Sequence, residues 1–297
     1  MTRTAFYAIV GRPNVGKSTL MNHLLGEKVA IVSPKPQTTR NRIAGILTKG
    51  EDQYVFLDTP GVHKARNKLG EYMMKSVRSS VGSADAVILI AEAGRPAGDI
   101  EKELIERIKG TGLPSIPVLN KIDLVNREEI AASIAEYAAL HSFDAVVPTC
   151  AENGKNVSEV LDEAEKFLYE GDWMFDADSL TDQPERQIAS EIIREKLLRL
   201  LSDEIPHGTA VVIEDFKEDE DILRIRAEIW CERESHKRII VGKDGAALKR
   251  IGTFAREDME AFFGIKVYLN LWVKVREKWR DSAAAVSNFG YRNEDVN

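Results

Sequence analysis

The amino-acid sequence predicts two domains of different class: a mainly parallel α/β sheet covered on both faces, then a smaller α+β unit in the order α-β-β-α-α-β. Three observations carry this expectation. Short apolar runs alternate with amphipathic stretches over residues 5–170, the pattern of strands joined by crossover helices. Residues 171–185 then carry Asp172, Asp176, Asp178, Asp182 and Pro184 with no basic residue, which reads as a solvated linker. Beyond it, one helical stripe is followed by period-2 runs. The 297 residues are about two domains' worth of chain. The expected boundaries are 1–170, a linker 171–185, a second domain 186–280 and a C-terminal tail 281–297.

The elements follow in order. Strands are expected at Ala5–Val10, Tyr54–Leu57, Ala86–Ile90, Ile116–Leu119 and Ala145–Val147, each a short apolar run. Leu20, Met21, Leu24 and Leu25 mark a helix after the first strand. Leu69, Met73 and Val77 mark another, and Val157, Val160, Leu161, Ala164 and Leu168 a third. In the second half, Ala189, Ile193, Leu197 and Leu200 form a helix stripe. Thr209–Ile213 and Ile222–Trp230 read as strands, with the acidic stretch Glu214–Asp221 as their hairpin loop. Two helical stretches then flank Gly242–Gly245. The second places Leu248, Ile251, Ala255, Met259 and Phe262 on one face and ends at Gly264, a fitting C-cap. Lys266–Arg276 alternates strictly, as a half-buried strand does.

Composition excludes several classes. Hydrophobic content of 43% and charged content of 30% are those of a globular protein rather than a disordered one. No run of about 18 uncharged apolar residues exists, and Met1–Gly11 lacks a signal peptide's apolar core, so neither a membrane span nor secretion is expected. Cys150 and Cys231 have no second pair for a zinc site, and a reducing, cytoplasmic compartment follows. The formal net charge of −7, taken alone, opposes a nucleic-acid partner.

Chemistry concentrates at strand ends. Gly11-Arg12-Pro13-Asn14-Val15-Gly16-Lys17-Ser18 matches G-x-x-x-x-G-K-[ST] between a strand and a helix, with Thr19 next in that helix. Such a loop turns its N–H groups onto a β-phosphate at a helix N-terminus. Lys17 would reach the β- and γ-phosphates and Ser18 would hold Mg²⁺. Asp58-Thr59-Pro60-Gly61 follows the second strand; Asp58 suits Mg²⁺ and the Gly61 N–H a γ-phosphate. Asn120-Lys121-Ile122-Asp123 follows the fourth, and an Asp123 carboxylate can accept both N–H groups of guanine, a pair adenine does not offer. Cys150-Ala151-Glu152 follows the fifth, with the Ala151 N–H placed for the guanine oxygen. Four such motifs in this order predict an enzyme that binds and hydrolyses GTP, with GTP and GDP as ligands. In Pro36-Gln37-Thr38-Thr39-Arg40, Thr39 or its neighbour Thr38 would complete the Mg²⁺ shell, Thr39 being the preferred candidate. The position that often holds a water-orienting Gln is Val62. His63 reads as a solvated loop residue, and spacing secures neither Arg12 nor Arg40 as an arginine finger, so slow turnover is expected.

With these motifs the sequence resembles the Era family of bacterial GTPases. The likeness extends to Ala189-Ser190-Glu191-Ile192-Ile193-Arg194-Glu195-Lys196, Val241–Gly245 and Leu271-Trp272-Val273-Lys274-Val275. It implies a P-loop GTPase domain followed by a type II KH domain, binding to the 3′ end of 16S ribosomal RNA, and a role in maturing the small ribosomal subunit. Cys150 departs from the family's usual Ser, while a hydrophobic residue at Val62 is usual for it. The likeness also implies a potassium ion held by Asn14 beside the phosphates, in part replacing an arginine finger.

For the second domain, Gly242-Lys243-Asp244-Gly245 fits the G-x-x-G loop with which KH domains clamp about four nucleotides of single-stranded RNA. From Arg224 to Arg280 there are 14 Lys and Arg against 8 Asp and Glu, a surplus of six, so the remainder of the chain carries −13. Lys237, Arg238, Lys243, Lys249 and Arg250 cluster around the loop as phosphate contacts. On the last strand Val267, Leu269, Leu271, Val273 and Val275 share the core face. Tyr268, Asn270, Trp272, Lys274 and Arg276 share the other, which suits either base stacking or packing on a neighbour. The chain is expected to act as a monomer. The competing expectation is a GTPase held weakly on the cytoplasmic face of a membrane by Lys266–Arg280, against which strict alternation speaks.

Overall fold

The computed structural model describes residues 1–202 and 204–292. The first domain is a seven-stranded sheet. Strands β1 (Arg3–Gly11), β2 (Ile43–Lys49), β3 (Asp52–Asp58), β4 (Ala86–Glu92), β5 (Ser115–Asn120) and β6 (Val147–Pro148) lie in the order β2-β3-β1-β4-β5-β6, and β7 (Tyr169–Glu170) joins the start of β1. Pairing is parallel from β3 to β6, with β2 and β7 antiparallel. Alternate β1 residues enter opposite cores: Ala5, Tyr7 and Ile9 meet α1 (Lys17–Leu25) and α5 (Val157–Glu165), while Ala8 and Val10 face the core of α2 (Lys68–Gly82), α3 (Asp99–Thr111) and α4 (Arg127–Leu140). Both faces being buried, β1 carries no polar alternation.

The structure departs from the sequence expectation in several places. Strand β2 was not foreseen, because its apolar start, Ile43-Ala44-Gly45-Ile46, runs directly from the polar 36–42 segment. Residues 171–185 keep Asp172, Asp176, Asp178 and Asp182 exposed, as a solvated linker does, but their backbone is tied to the sheet edge. Phe175 and Met174 bond Gln53, Trp173 donates to the Glu51 carbonyl, and Leu180–Asp182 runs along β2. The open edge of an antiparallel strand needs backbone partners, and the connector supplies them. Of the tail expected at 281–297, residues 293–297 lie outside the described residues, and the rest is packed: α9 (Ala283–Asn288), Phe289 and Tyr291 pack on Leu69, Tyr72 and Met73 of α2 together with Trp279.

The second domain has the expected order: α6 (Glu185–Leu200), β8 (Ala210–Asp219), β9 (Ile222–Cys231), α7 (Glu234–Val241), α8 (Ala246–Phe263) and β10 (Lys266–Val275), with sheet order β10-β9-β8. Strand β8 continues through a bulge at Ile213/Asp215, so most of the acidic stretch expected as loop is strand and only Glu220–Asp221 turns. Phe216 enters the core there, and Arg224 pairs with Asp219 across the ladder, offsetting the acids. Helix α8 ends at Gly264, φ 69°, the expected C-cap. Helix α6 is buried from Ile188 through Leu198. Its apolar stripe covers the three-stranded sheet; on its charged stripe Arg194 and Glu195 bond the first domain, while Glu191 pairs with Arg194 and Lys196 with Glu195 and Asp258.

Candidate functional site

Where β1 ends and α1 begins, the chain turns through Asn14 (φ 65°) and Gly16 (φ 103°). A Cβ on Gly16 would stand 2.3 Å from the Asn120 side-chain nitrogen, so only glycine allows the loop to lie against β5. Lys17 folds back inside the loop and donates to the carbonyls of Gly11 (3.3 Å) and Arg12 (2.8 Å). Burial lowers its pKa to about 8, with Asp58 opposing the shift. The Val62 N–H donates to the Gly11 carbonyl at 3.0 Å, which seats Gly61 over the phosphate loop.

Ser18, Thr39 and Asp58 converge. Ser18 Oγ donates to Asp58 Oδ2 at 2.6 Å and lies 2.9 Å from Thr39 Oγ1, which is itself 3.1 Å from Oδ2. Thr38 turns away, its hydroxyl donating to the Lys35 carbonyl at 2.7 Å. Burial holds the Asp58 carboxyl above the usual range against the pull of Lys17, and its Oδ1 is buried without a hydrogen-bond partner. An orphaned carboxylate oxygen beside two converging hydroxyls is a donor set for a small hard cation. Among the described residues no group of three His, Cys, Asp or Glu could hold a metal, so a cation here would keep water or phosphate ligands, as Mg²⁺ does.

At the other end, Asn120 ties three motifs together. It donates to the Val15 carbonyl (2.7 Å) and accepts from the Ala151 N–H (2.8 Å) and the Thr149 hydroxyl (3.3 Å). The Ala151 N–H, expected to face a base oxygen, is thus directed at Asn120. Lys121 pairs with Glu92, and Asp123 stands exposed at the mouth. The Cys150 thiol is pushed up by burial and by its hydrogen bond to Asp123. Asn14, Gly16, Lys17, Ser18, Thr19, Thr39, Gly61, Asn120, Lys121, Asp123, Cys150, Ala151 and Glu152 line one cavity of about 610 Å³.

Other candidate side chains are engaged by partners within the protein. Asn14 donates to the Pro34 carbonyl at 2.8 Å. Arg12 pairs with Glu101, and Arg40 is buried in the second domain, so neither is free to act as a finger. His63 is half-buried rather than solvated, with Nδ1 2.9 Å from the Gly61 carbonyl.

In the second domain the turn between α7 and α8 has Gly242, Asp244 and Gly245 at φ 74°, 51° and 77°. Arg238, Lys243, Lys249 and Arg250 are exposed around it and Lys237 is half-buried. The outer face of β10 is divided: Tyr268 and Trp272 are more than half exposed, while Arg276 stacks on Phe289 at 5.6 Å. The packing expected of that face is observed at the Arg276 end, and the Tyr268–Trp272 end is open to solvent.

A phosphate loop, a hydroxyl–carboxylate cluster and the Asn120–Asp123 and Cys150–Glu152 loops at the carboxyl edge of a parallel sheet define a guanine-nucleotide-binding domain. Residues 6–121 match the family described as 50S ribosome-binding GTPase, and residues 204–280 match the KH domain. GTPase Era of Caldicellulosiruptor saccharolyticus is 48% identical over 297 residues, 99% of each chain. That of Clostridium kluyveri is 46% identical over 293 residues, 98% of this chain and 100% of the relative. A point-substituted Era of Aquifex aeolicus bound to GDP and AlF4⁻ superposes with TM-score 0.94 at 39% identity, covering 98% of this chain and 99% of that one. Era in complex with MgGDPNP and nucleotides 1506–1542 of 16S ribosomal RNA gives 0.93 at 38%, with the same coverage. The chain belongs to the Era family and is a GTPase with a C-terminal KH domain.

Proposed function

We propose that this GTPase is a switch that binds 16S ribosomal RNA near its 3′ end and assists maturation of the small ribosomal subunit. The observation that carries the reading is full-length likeness to an Era bound at once to MgGDPNP and that RNA segment. Binding an oligonucleotide of nucleotides 1506–1542 with GTP analogue or GDP tests it; equal affinity for an unrelated single strand would overturn it. The two loop glycines make unequal probes. A Cβ on Gly242 would meet Ala247 Cβ at 2.7 Å, whereas nothing lies within 4 Å of one on Gly245. Gly245→Asp therefore adds repulsive charge with less disturbance, and should weaken RNA binding about tenfold or more in a filter-binding assay while GTP affinity stays unchanged.

In this reading Ser18, Thr39 and Asp58 hold Mg²⁺, which when bound neutralises charge on the phosphate oxygens. Lys17 exchanges its two carbonyl partners for phosphate oxygens, and the Gly61 N–H meets the γ-phosphate. Val62 cannot orient water, and Arg12 and Arg40 are engaged elsewhere, so intrinsic hydrolysis is slow. Phosphate binds the ammonium form of Lys17, which the free protein loses above about pH 8. Nucleotide affinity should fall between about pH 8 and 9, with proton uptake on binding in calorimetry; a flat profile would count against this role. Asn14 is assigned a potassium ion, supported by its place in the wall of the cavity that holds Lys17. Hydrolysis should then run about tenfold faster in potassium than in sodium, and Asn14→Ala should abolish the difference; equal rates in wild type remove the assignment.

We place this activity in the cytoplasm, in a monomer. Lys266–Val275 is a strand, so it offers no amphipathic helix to a membrane surface, and the RNA reading is preferred.

A further inference from the structure

Of the three oxygens that converge at the metal site, those of Ser18 and Asp58 sit on α1 and β3. Thr39 sits on a loop. Residues 28–40 are held by both domains: Asn22 of α1 bonds the backbone of Val29 and Ala30 and Asn14 bonds Pro34, while further anchors come from the second domain. Lys28 donates to Glu195 (2.9 Å) and Asp258 (3.0 Å). The Val32 N–H donates to Glu195 (3.1 Å), and its carbonyl accepts from Arg199 (3.0 Å). Arg194 donates to the carbonyls of Gln37 (3.4 Å) and Thr38 and pairs with Glu191. Arg40 donates to the Thr209 carbonyl (2.7 Å), the His207 carbonyl (2.9 Å) and the Tyr291 hydroxyl (3.1 Å), with its guanidinium 6.0 Å from the Trp279 and Tyr291 rings. Both arginines are 1% exposed. The peptide before Thr39 and the residue after it are thus each pinned by the other domain.

We infer that Arg194 and Arg40 are positioning residues for Thr39, so that the second domain supplies the anchors on either side of the GTP-sensing threonine. The inference rests on the reading of Thr39 as a Mg²⁺ ligand in the GTP-bound state. It goes further by naming what sets the ligand. A buried guanidinium keeps its hydrogen bonds only while the domains are docked; on separation it rehydrates and Thr39 loses both neighbours' anchors. Whatever moves the second domain, RNA on its basic loop included, then changes the preference for GTP over GDP, and nucleotide state changes docking by the same factor.

The test uses the full chain, a non-hydrolysable GTP analogue and GDP, with and without Mg²⁺. Arg40→Ala and, separately, Arg194→Ala should each lower Mg²⁺-dependent affinity for the analogue about tenfold, with GDP affinity held within about twofold. Arg40→Lys should recover part of the loss. Thr39→Ala sets the ceiling: joined to Arg40→Ala it should be no worse than alone, because both remove one ligand. Tyr291→Phe deletes a single hydroxyl and guards against misfolding of the alanine variant; a smaller loss in the same direction is expected at unchanged melting temperature. Additive losses, equal losses for both nucleotides, or no effect of either Arg194→Ala or Tyr291→Phe would overturn the inference. If Thr39→Ala itself has no effect, the reading of Thr39 as a ligand falls instead.

Discussion

Asp123→Asn should reverse base preference, with the ratio of GTP to XTP affinity falling about a thousandfold or more. A carboxylate presents two acceptors to the ring N–H and exocyclic amine of guanine. An amide presents one acceptor and one donor, and the donor confronts the amine. Xanthine carries a carbonyl at that position and accepts from the amide. Asp123 stands at the mouth of the cavity, and Asn120 behind it holds the phosphate loop and the Cys150–Glu152 loop in register. The substitution changes the reader without changing its frame. Competition binding with GTP and XTP decides the matter: retained preference for GTP would show that Asp123 does not read the base.

Trp279→Ala should be the most damaging single change to the fold, at about 3–5 kcal/mol. The side chain is fully buried, its Nε1 donates to the Gly208 carbonyl at 2.9 Å, and its ring lies 5.1 Å from Phe289 and 6.2 Å from Tyr291. Truncation leaves a large cavity where both domains meet and a buried carbonyl without its donor. Trp279→Phe keeps part of the volume and should cost roughly half as much. Urea unfolding followed by circular dichroism reads both; a shift under about 1 kcal/mol for the alanine variant would mean that the cluster collapses around the gap.

Much of this was legible in the sequence for a physical reason. The nucleotide motifs are local: each lies within a few residues of a strand end, and the parallel sheet brings strand ends to one edge whatever the loops between them do. The α-β-β-α-α-β order and the G-x-x-G turn are equally local. What escaped is long-range. Arg40 could be read as a candidate finger because its partners, Thr209 and Tyr291, lie 169 and 251 residues away. The sequence reading placed only the apolar stripe of α6; Arg194 and Glu195 are buried against residues more than 150 positions away. The family likeness of Ala189–Lys196 was the one signal that these charged residues mattered. The acids of 171–185 suggested solvent, and they stand exposed; what the pattern did not show is that the edge of β2 ties down the connector's backbone.

The clasp around Arg40 also has a bearing on biosynthesis. A chain is made from its N-terminus, and domains fold largely as units as they emerge. The first domain can therefore close around Lys17 and Asp58 early, while Arg40 waits for Thr209 and then for Tyr291. Until Tyr291 has been made, the loop bearing Thr39 lacks its last anchor. A nascent chain that has exposed the first domain but not yet Tyr291 therefore has the phosphate loop in place before Arg40 has its full set of partners.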